Sequence, residues 1–345
     1  MKLESVSQYE SVYREWGIRL LLISVSLLVA LGLAEVMVRI FFPIWDGRDN
    51  VTLDGKPINS WFEPGTVYRQ VSNEYDAITT ITDKGHRVPG VDGNPDVIFV
   101  GDSFTFGFGL SDDQTFASIY CKELHRACVN LGYPGSGTLR QVERLDGFIR
   151  KYGWKPKEVK LFFFGMTGSW SSGNDFVDNY DRYMREQSRQ DDTSKREPSV
   201  GIAERIIGMQ VVILEHSTLM RRLKYHWGPR IKSILVADPG EYRMAIALKA
   251  TKEHLAKLDE LSRRVGFEYT IYLVPAVHDI LRGTQDKTLA ALNAVSPQPV
   301  VSTAQVFLDS PERYSYAFDG HLNPKGSKRI AEFLISMDGP NLNKS

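Results

Sequence analysis

Four short segments carry residue types that can do chemistry together. Ser103 stands in Gly101-Asp102-Ser103, directly after the apolar run Asp96–Val100 (DVIFV), which reads as a strand of a buried sheet. A serine at a strand end can present its hydroxyl above the sheet with its own backbone N–H facing the same pocket. Such a pair suits nucleophilic attack and oxyanion binding. Three residues also recur by chance, and a strand-end turn with a capping serine is the plain alternative. Neither G-x-S-x-G nor G-x-x-x-x-G-K-[ST] occurs in the chain.

The second segment is Asn130 to Thr138 (NLGYPGSGT), whose glycines let the backbone approach a ligand and offer an N–H, for instance that of Gly135, to an oxyanion. Alone it reads as a turn. The third is Gly173-Asn174-Asp175, nine residues beyond Phe164, where the asparagine amide can donate to developing negative charge or simply shape a turn. The fourth is Asp319-Gly320-His321-Leu322-Asn323-Pro324. Among seven histidines, His321 has a carboxylate two residues before it and a helix start just after it. Positions i and i+2 point apart on a helix, so the pair can meet only in a loop, and Gly320 supplies the freedom. The carboxylate would accept from one ring nitrogen and leave the other as a base. His278, beside Asp279, and His86 are rival bases.

The elements that must position these segments follow a strand–helix alternation. Cys128–Leu131, Val159–Phe164 (VKLFFF) and Tyr269–Val274 (YTIYLV) read as further buried strands. Ser111-Asp112-Asp113-Gln114 has the form of a capping box before a helix with Phe116, Ile119, Tyr120 and Leu124 on one face. Met244, Leu248, Leu255, Leu258 and Val265 recur at helical spacing, with Gly266 as the stop. Asn323-Pro324 opens a last helix, through Ile335. This alternation predicts an α/β domain over 95–338, with a parallel sheet covered on both faces. The segment from about 176 to 240 is expected to be an insertion or cap over the sheet, amphipathic at 201–227. Ligands in such sheets sit beyond the carboxyl ends of the strands.

Upstream the pattern changes. Leu20 to Ala34 carries no charge, and apolar character runs on to Phe42, interrupted by Glu35 and Arg39. Leu20 to Phe42 spans about 34 Å as a helix, enough for a hydrocarbon core of about 30 Å. Trp16 and Trp45 bracket it, and Glu35 and Arg39 share a face. Residues 18–42 are therefore expected to be a transmembrane anchor in contact with the lipid bilayer. The alternative is a cleaved signal peptide ending near Gly32-Leu33-Ala34. Lys2, Arg14 and Arg19 precede the span against Arg39 and Arg48 after it, which places 1–17 in the cytoplasm and the bulk of the chain outside. Residues 43–94, rich in Gly, Pro, Asp and Asn, read as a juxtamembrane linker with short strands at Thr66–Gln70 and Ala77–Thr82.

Composition narrows the function. The 42 basic and 42 acidic residues balance, so no global charge favours a nucleic-acid partner. Two cysteines, Cys121 and Cys128, make neither a disulfide framework nor a cysteine-rich zinc site; they form one disulfide or stay as buried thiols.

Ser, Gly, Asn and His arriving in this order at successive strand ends resemble the SGNH (GDSL) hydrolase superfamily, from about Asp96 to Ile335. The single N-terminal span ending in Glu35-x-x-x-Arg39, followed by Asp83-Lys84-Gly85-His86-Arg87, is similar to bacterial membrane-anchored members. The resemblance implies a flavodoxin-like parallel sheet. It implies Ser103 as nucleophile, His321 as base, Asp319 as its orienting carboxylate, and the Ser103 N–H, Gly135 N–H and Asn174 amide as the oxyanion hole. Many members carry Asp-x-x-His, whereas position 318 here is Phe, and Asp319-x-His321 resembles a variant in extracytoplasmic polysaccharide O-acetyl-transferring relatives. The stretch Met166–Ser172 is longer than usual.

The function so implied is a serine esterase on O-acetyl esters of carbohydrate, with an O-acetyltransferase sharing the same site as the alternative. Asp102 and Trp170 are expected to contact substrate, Trp170 with Tyr180 by stacking on a sugar ring, although core or cap packing explains these two about as well. This chemistry needs no cofactor and no metal. The expected location is a bacterial inner membrane with the catalytic domain periplasmic. A different class also fits: a non-catalytic SGNH-like subunit of a membrane assembly, with 201–227 as its docking surface.

Overall fold

The computed structural model describes residues 2–41, 51–52, 62–167, 174–191, 217–219, 240–310, 313–317 and 319–342. The chain divides into two compact units, Met1–Ile44 with Glu197–Ile234, and Trp45–Arg196 with Leu235–Ser345.

The first unit contains one long helix, α1 (Lys2–Phe41). Its part from Glu15 to Phe41 is long and apolar enough to cross a membrane. Apolar side chains along it, from Trp16 through Leu28 to Phe41, are exposed. Glu35 interrupts that surface and is supplied with donors. Arg39 Nε lies 2.6 Å from its Oε1, the Ser217 hydroxyl donates at 2.7 Å, and the backbone N–H groups of Thr218 and Leu219 donate at 2.8 and 2.9 Å. A carboxylate on an apolar helix requires such partners. Ser217–Leu219, the described part of the amphipathic stretch 201–227, thus binds α1; the rest of that stretch lies outside the described residues.

In the second unit, β1 (Val51–Thr52), β2 (Val67–Val71) and β3 (Asp76–Thr80) form an antiparallel sheet in that order. The stretch read as a linker therefore holds the two expected short strands and a third. The main sheet comprises β4 (Val97–Gly101), β5 (Cys128–Asn130), β6 (Glu158–Gly165), β7 (Glu268–Pro275) and β8 (Val300–Ser302). All neighbours are parallel, and the order is β5-β4-β6-β7-β8. Numbered within the sheet this is 2-1-3-4-5, the flavodoxin-like order, with the switch point at the carboxyl end of β4.

Among the described residues the α-helices of this unit are α2 (Ser103–Phe106), α3 (Phe116–Glu123), α4 (Thr138–Tyr152), α5 (Asp175–Asp191), α6 (Gly240–Val265), α7 (Val277–Arg282), α8 (Gln285–Asn293) and α9 (Pro324–Leu342). They cover both faces. Ile98, Val100, Val159 and Leu161 point to one side, against Val142, Leu145 and Ile149 of α4 and Leu255 and Leu258 of α6. Val97, Phe99 and Phe162 point to the other, against Phe116 and Tyr120 of α3 and Ile330 and Leu334 of α9. Alternate residues serve alternate faces, so the strands are apolar on both sides along most of their length, which is why they read as hydrophobic runs.

Local signals were mostly obeyed. Asn323 Oδ1 accepts from Lys325 and Gly326 N–H at 3.0 and 3.1 Å, capping α9 as expected. The capping box at Ser111 closes only a single 3-10 turn, Asp112–Gln114; α3 is capped by Thr115, whose hydroxyl accepts from the Ser118 N–H at 3.1 Å. Cys121 and Cys128 are joined in a disulfide, with Cα atoms 6.0 Å apart, tying the end of α3 to the start of β5. The lysine inside VKLFFF is fully buried: Lys160 pairs with Glu158 and, at 2.8 Å, with Asp338 of α9, which also accepts from the Tyr120 hydroxyl at 2.6 Å. Paired in this way, a buried ammonium is tolerated.

Candidate active site

At the switch point β4 runs directly into α2. Asp102 is the N-cap, its Oδ1 accepting the Phe104 N–H at 2.9 Å, and Ser103 is the first helical residue, a position whose N–H has no partner inside its own helix. The glycine segment fits against this turn. A Cβ on Gly132 would lie 2.1 Å from the Phe106 nitrogen, so only glycine permits the approach. Asn130 fixes the contact from both sides, donating to the Thr105 carbonyl and accepting the Gly132 N–H, each at 2.9 Å. Tyr133 N–H donates to the Gly101 carbonyl at 2.9 Å.

Below α2 lies Arg87, fully buried under the Phe106 ring, with 5.0 Å from guanidinium to centroid. It donates to the carbonyls of Phe106 (2.8 Å), Gly107 and Leu110, and approaches Asp112 at 3.5 Å. Its only sign in the sequence was its place in Asp83–Arg87. The structure makes it a clamp on the backbone that follows the nucleophile.

His321 arrives from the loop before α9. Its Nε2 lies 2.7 Å from the Ser103 Oγ, and its Nδ1 is hydrogen-bonded to Asp319 Oδ1. The two residues are 218 positions apart in the chain. Gly320 takes φ +85°, the left-handed turn that lets Asp319 fold back on its neighbour's ring. Tyr316 N–H donates to the His321 carbonyl at 2.8 Å, and the rings of Phe104 and Phe108 each stand 5.0 Å from the imidazole. Imidazole and carboxylate are about four-fifths buried. Burial alone would raise the Asp319 carboxyl, but the hydrogen bonds from His321, with one from Tyr75, hold it below its usual range. An ionised Asp319 only accepts, so the proton sits on Nδ1 and Nε2 is left to accept from the serine hydroxyl.

Of the rivals, His86 does not compete. His86 is fully buried with Nδ1 donating to the Arg87 carbonyl at 3.0 Å, and burial lowers it to about 4. Asp279 is buried beneath Thr284 and Thr288, whose hydroxyls donate to it at 2.8 and 3.2 Å. The His278 side chain lies outside the described residues.

The remaining expected site residues are placed as follows. Gly135 is exposed, with φ +68° and open space where a Cβ would stand. Asn174 is fully buried: its Nδ2 donates to the Met166 carbonyl at 2.8 Å and its Oδ1 accepts from Phe176 N–H at 3.1 Å, which joins the end of β6 to the start of α5. Asp102 is 3% exposed, with its carboxylate turned inward to cap α2. Gly173 and Trp170 lie outside the described residues. Among the described residues no cluster of His, Cys, Asp and Glu is arranged to hold a metal ion.

Asp102 has buried acidic company. Asp175 accepts from Phe164 N–H at 3.0 Å and Gln141 Nε2 at 3.2 Å, and Asp178 follows one helical turn on. Burial raises all three carboxyls; repulsion from Asp178 adds to it for Asp102, and repulsion from Asp102 and Asp178 for Asp175, while burial and then Asp181 bring Asp178 to about 6. Against about 3.9 unfolded, the folded form holds the Asp178 proton more tightly, so its contribution is present below pH 4 and lost as pH rises through 6. Asp178→Asn should therefore raise the melting temperature at pH 7.5 by about 2–4 °C, equivalent to about 1 kcal/mol after allowance for solvent screening. The gain should vanish at pH 4; a gain equal at both pH values would contradict the assignment.

Comparison of the sequence with family models and with curated proteins gave no match. Solved structures with a similar course include a member of the lipolytic protein G-D-S-L family from Veillonella parvula DSM 2008 (12% identity, 68% of this chain and 93% of that chain, TM-score 0.36). Others are the lipase/acylhydrolase from Enterococcus faecalis (13%, 71% and 95%, TM-score 0.37) and a catalytic mutant of the acetylxylan esterase Axe2 from Geobacillus stearothermophilus (13%, 71% and 94%, TM-score 0.34). At identities this low, the functional reading rests on the geometry of this chain's own site.

Proposed function

We propose that the chain is a serine ester hydrolase, held at a bacterial inner membrane by residues 18–42 with its catalytic domain, 95–338, outside the cytoplasm. The observation that carries the reading is the relay from Ser103 Oγ through His321 to Asp319, assembled at the carboxyl end of β4 from segments 218 residues apart. Ser103 Oγ attacks the ester carbonyl carbon as its proton passes to His321 Nε2. Asp319 stabilises the imidazolium and keeps the ring in register. The N–H groups of Ser103 and Gly135 receive the oxyanion. His321 then gives the proton to the departing alcohol, and water, deprotonated by the same imidazole, releases the acid from Ser103.

The Cys121–Cys128 disulfide supports an oxidising compartment, and the exposed apolar length of α1 supports the bilayer as its surroundings. The motif resemblance supports O-acetyl esters of carbohydrate as substrate. Asp319-x-His321 spacing favours a second reading, an O-acetyltransferase in which a glycan hydroxyl replaces water in the last step. The test is acetate release from O-acetylated glycans by the full chain in detergent, with and without a glycan acceptor. Release without acceptor is expected of the hydrolase, and acetyl transfer to the acceptor in its place would establish the second reading. A folded protein that does neither would refute both.

A further inference from the structure

The turn between β2 and β3 reaches the same loop that carries Asp319. Ser72 builds the turn: its hydroxyl accepts the N–H groups of Glu74 and Tyr75 at 3.0 and 3.2 Å, and its own N–H donates to the Tyr75 carbonyl at 2.9 Å. Two consecutive side chains then address residue 319 from opposite ends. Glu74 Oε2 accepts the Asp319 N–H at 2.8 Å, and the Tyr75 hydroxyl donates to Asp319 Oδ2 at 3.4 Å. His321 occupies the other carboxylate oxygen, Oδ1, through Nδ1 and through its backbone N–H at 3.2 Å. The carboxylate thus meets a donor at both oxygens, a close one on the side of the base and a longer one on the side of the turn.

Tyr75 is only 7% exposed, and its ring cannot swing away. It packs 5.0 Å from Tyr316 and 6.2 Å from Phe108, and a Cβ on Gly109 would come within 2.8 Å of its edge. Gly109 is itself fixed by its N–H to Gln70 Oε1 at 3.1 Å, and its carbonyl accepts the Tyr316 hydroxyl at 2.8 Å.

We infer that Tyr75 is a positioning residue for the reaction, orienting the Asp319 carboxylate so that Oδ1 stays on the His321 Nδ1 proton, with Glu74 fixing the backbone beneath it. This rests on the reading of Ser103 and His321 as nucleophile and base. Burial, then the nearby Asp319 charge, push the Tyr75 phenol up, so it stays protonated and donates throughout the working pH range. The hydroxyl acts through Asp319 and touches no reacting atom. Removing it frees Oδ2 to turn, and it also removes a donor that shares the carboxylate charge with the imidazole.

The experiment compares Tyr75→Phe, which keeps the ring and its packing, with wild type and Ser103→Ala, using full-length protein in detergent and p-nitrophenyl acetate as probe. The expected result is a kcat about ten-fold lower with KM unchanged, an acid limb of the pH–rate profile moved to higher pH, and an unchanged melting temperature. A wild-type rate and profile in Tyr75→Phe would overturn the inference. So would a lower rate with the acid limb in place and a lower melting temperature, since that is the mark of packing alone. If Ser103→Ala is inactive while Tyr75→Phe matches wild type, only the role of Tyr75 falls; if Ser103→Ala retains turnover, the nucleophile reading and this inference fall together.

Discussion

Ser103→Ala is expected to lower kcat by about 10⁴–10⁶-fold while leaving the melting temperature unchanged. The size follows from deleting the group that forms the acyl intermediate, after which water has only the oxyanion N–H groups and the binding contacts to help it. The unchanged stability follows from the local structure. Asp102, not Ser103, caps α2, and the backbone around it is held by Asn130, Arg87 and the Tyr133 N–H. The Ser103 hydroxyl is hydrogen-bonded to His321 Nε2, and a methyl group fits where the hydroxyl stood. Measured on p-nitrophenyl acetate, KM should change little, because the lost interaction is realised only on the way to the transition state. A variant with more than a tenth of wild-type kcat would remove Ser103 from the chemistry.

His321→Ala should cost a similar factor, about 10⁴–10⁶-fold in kcat, and the double variant with Ser103→Ala should cost little more than either alone. Nucleophile and base act as one unit, so their losses do not add. His278→Ala serves as the contrast and should stay within about two-fold of wild type, since the position beside it, Asp279, is committed to two threonine hydroxyls in place of an imidazole. An inactive His278→Ala with an active His321→Ala would reassign the base.

The parts of this site that the sequence disclosed are those governed by local rules. Buried parallel strands such as Asp96–Val100 show as unbroken apolar runs because both faces are covered, and Asp319-Gly320-His321 betrays a loop pair because only a turn lets i and i+2 meet. Strand order was implied by the motif resemblance, and the topology bears it out. The residues that were not legible act across long separations. Tyr75 meets Asp319 over 244 positions, and Arg87 meets backbone carbonyls, which carry no sequence signature. The inward turn of the Asp102 carboxylate was not legible for a related reason: its pattern places it beside the nucleophile, and only the backbone geometry of α2 decides which way the carboxylate faces. Lys160 inside an apolar strand gave no hint of its partner on α9, 178 positions away, because ion-pair partners in a core are chosen by packing.

The most direct measurement is covalent. Full-length protein treated with a fluorophosphonate that mimics the tetrahedral intermediate, then digested and mapped by mass spectrometry, should carry one adduct, on Ser103, with labelling absent in Ser103→Ala and strongly slowed in His321→Ala. An adduct on any other residue, labelling that persists in Ser103→Ala, or no labelling of a folded wild-type protein would contradict Ser103 as an activated nucleophile.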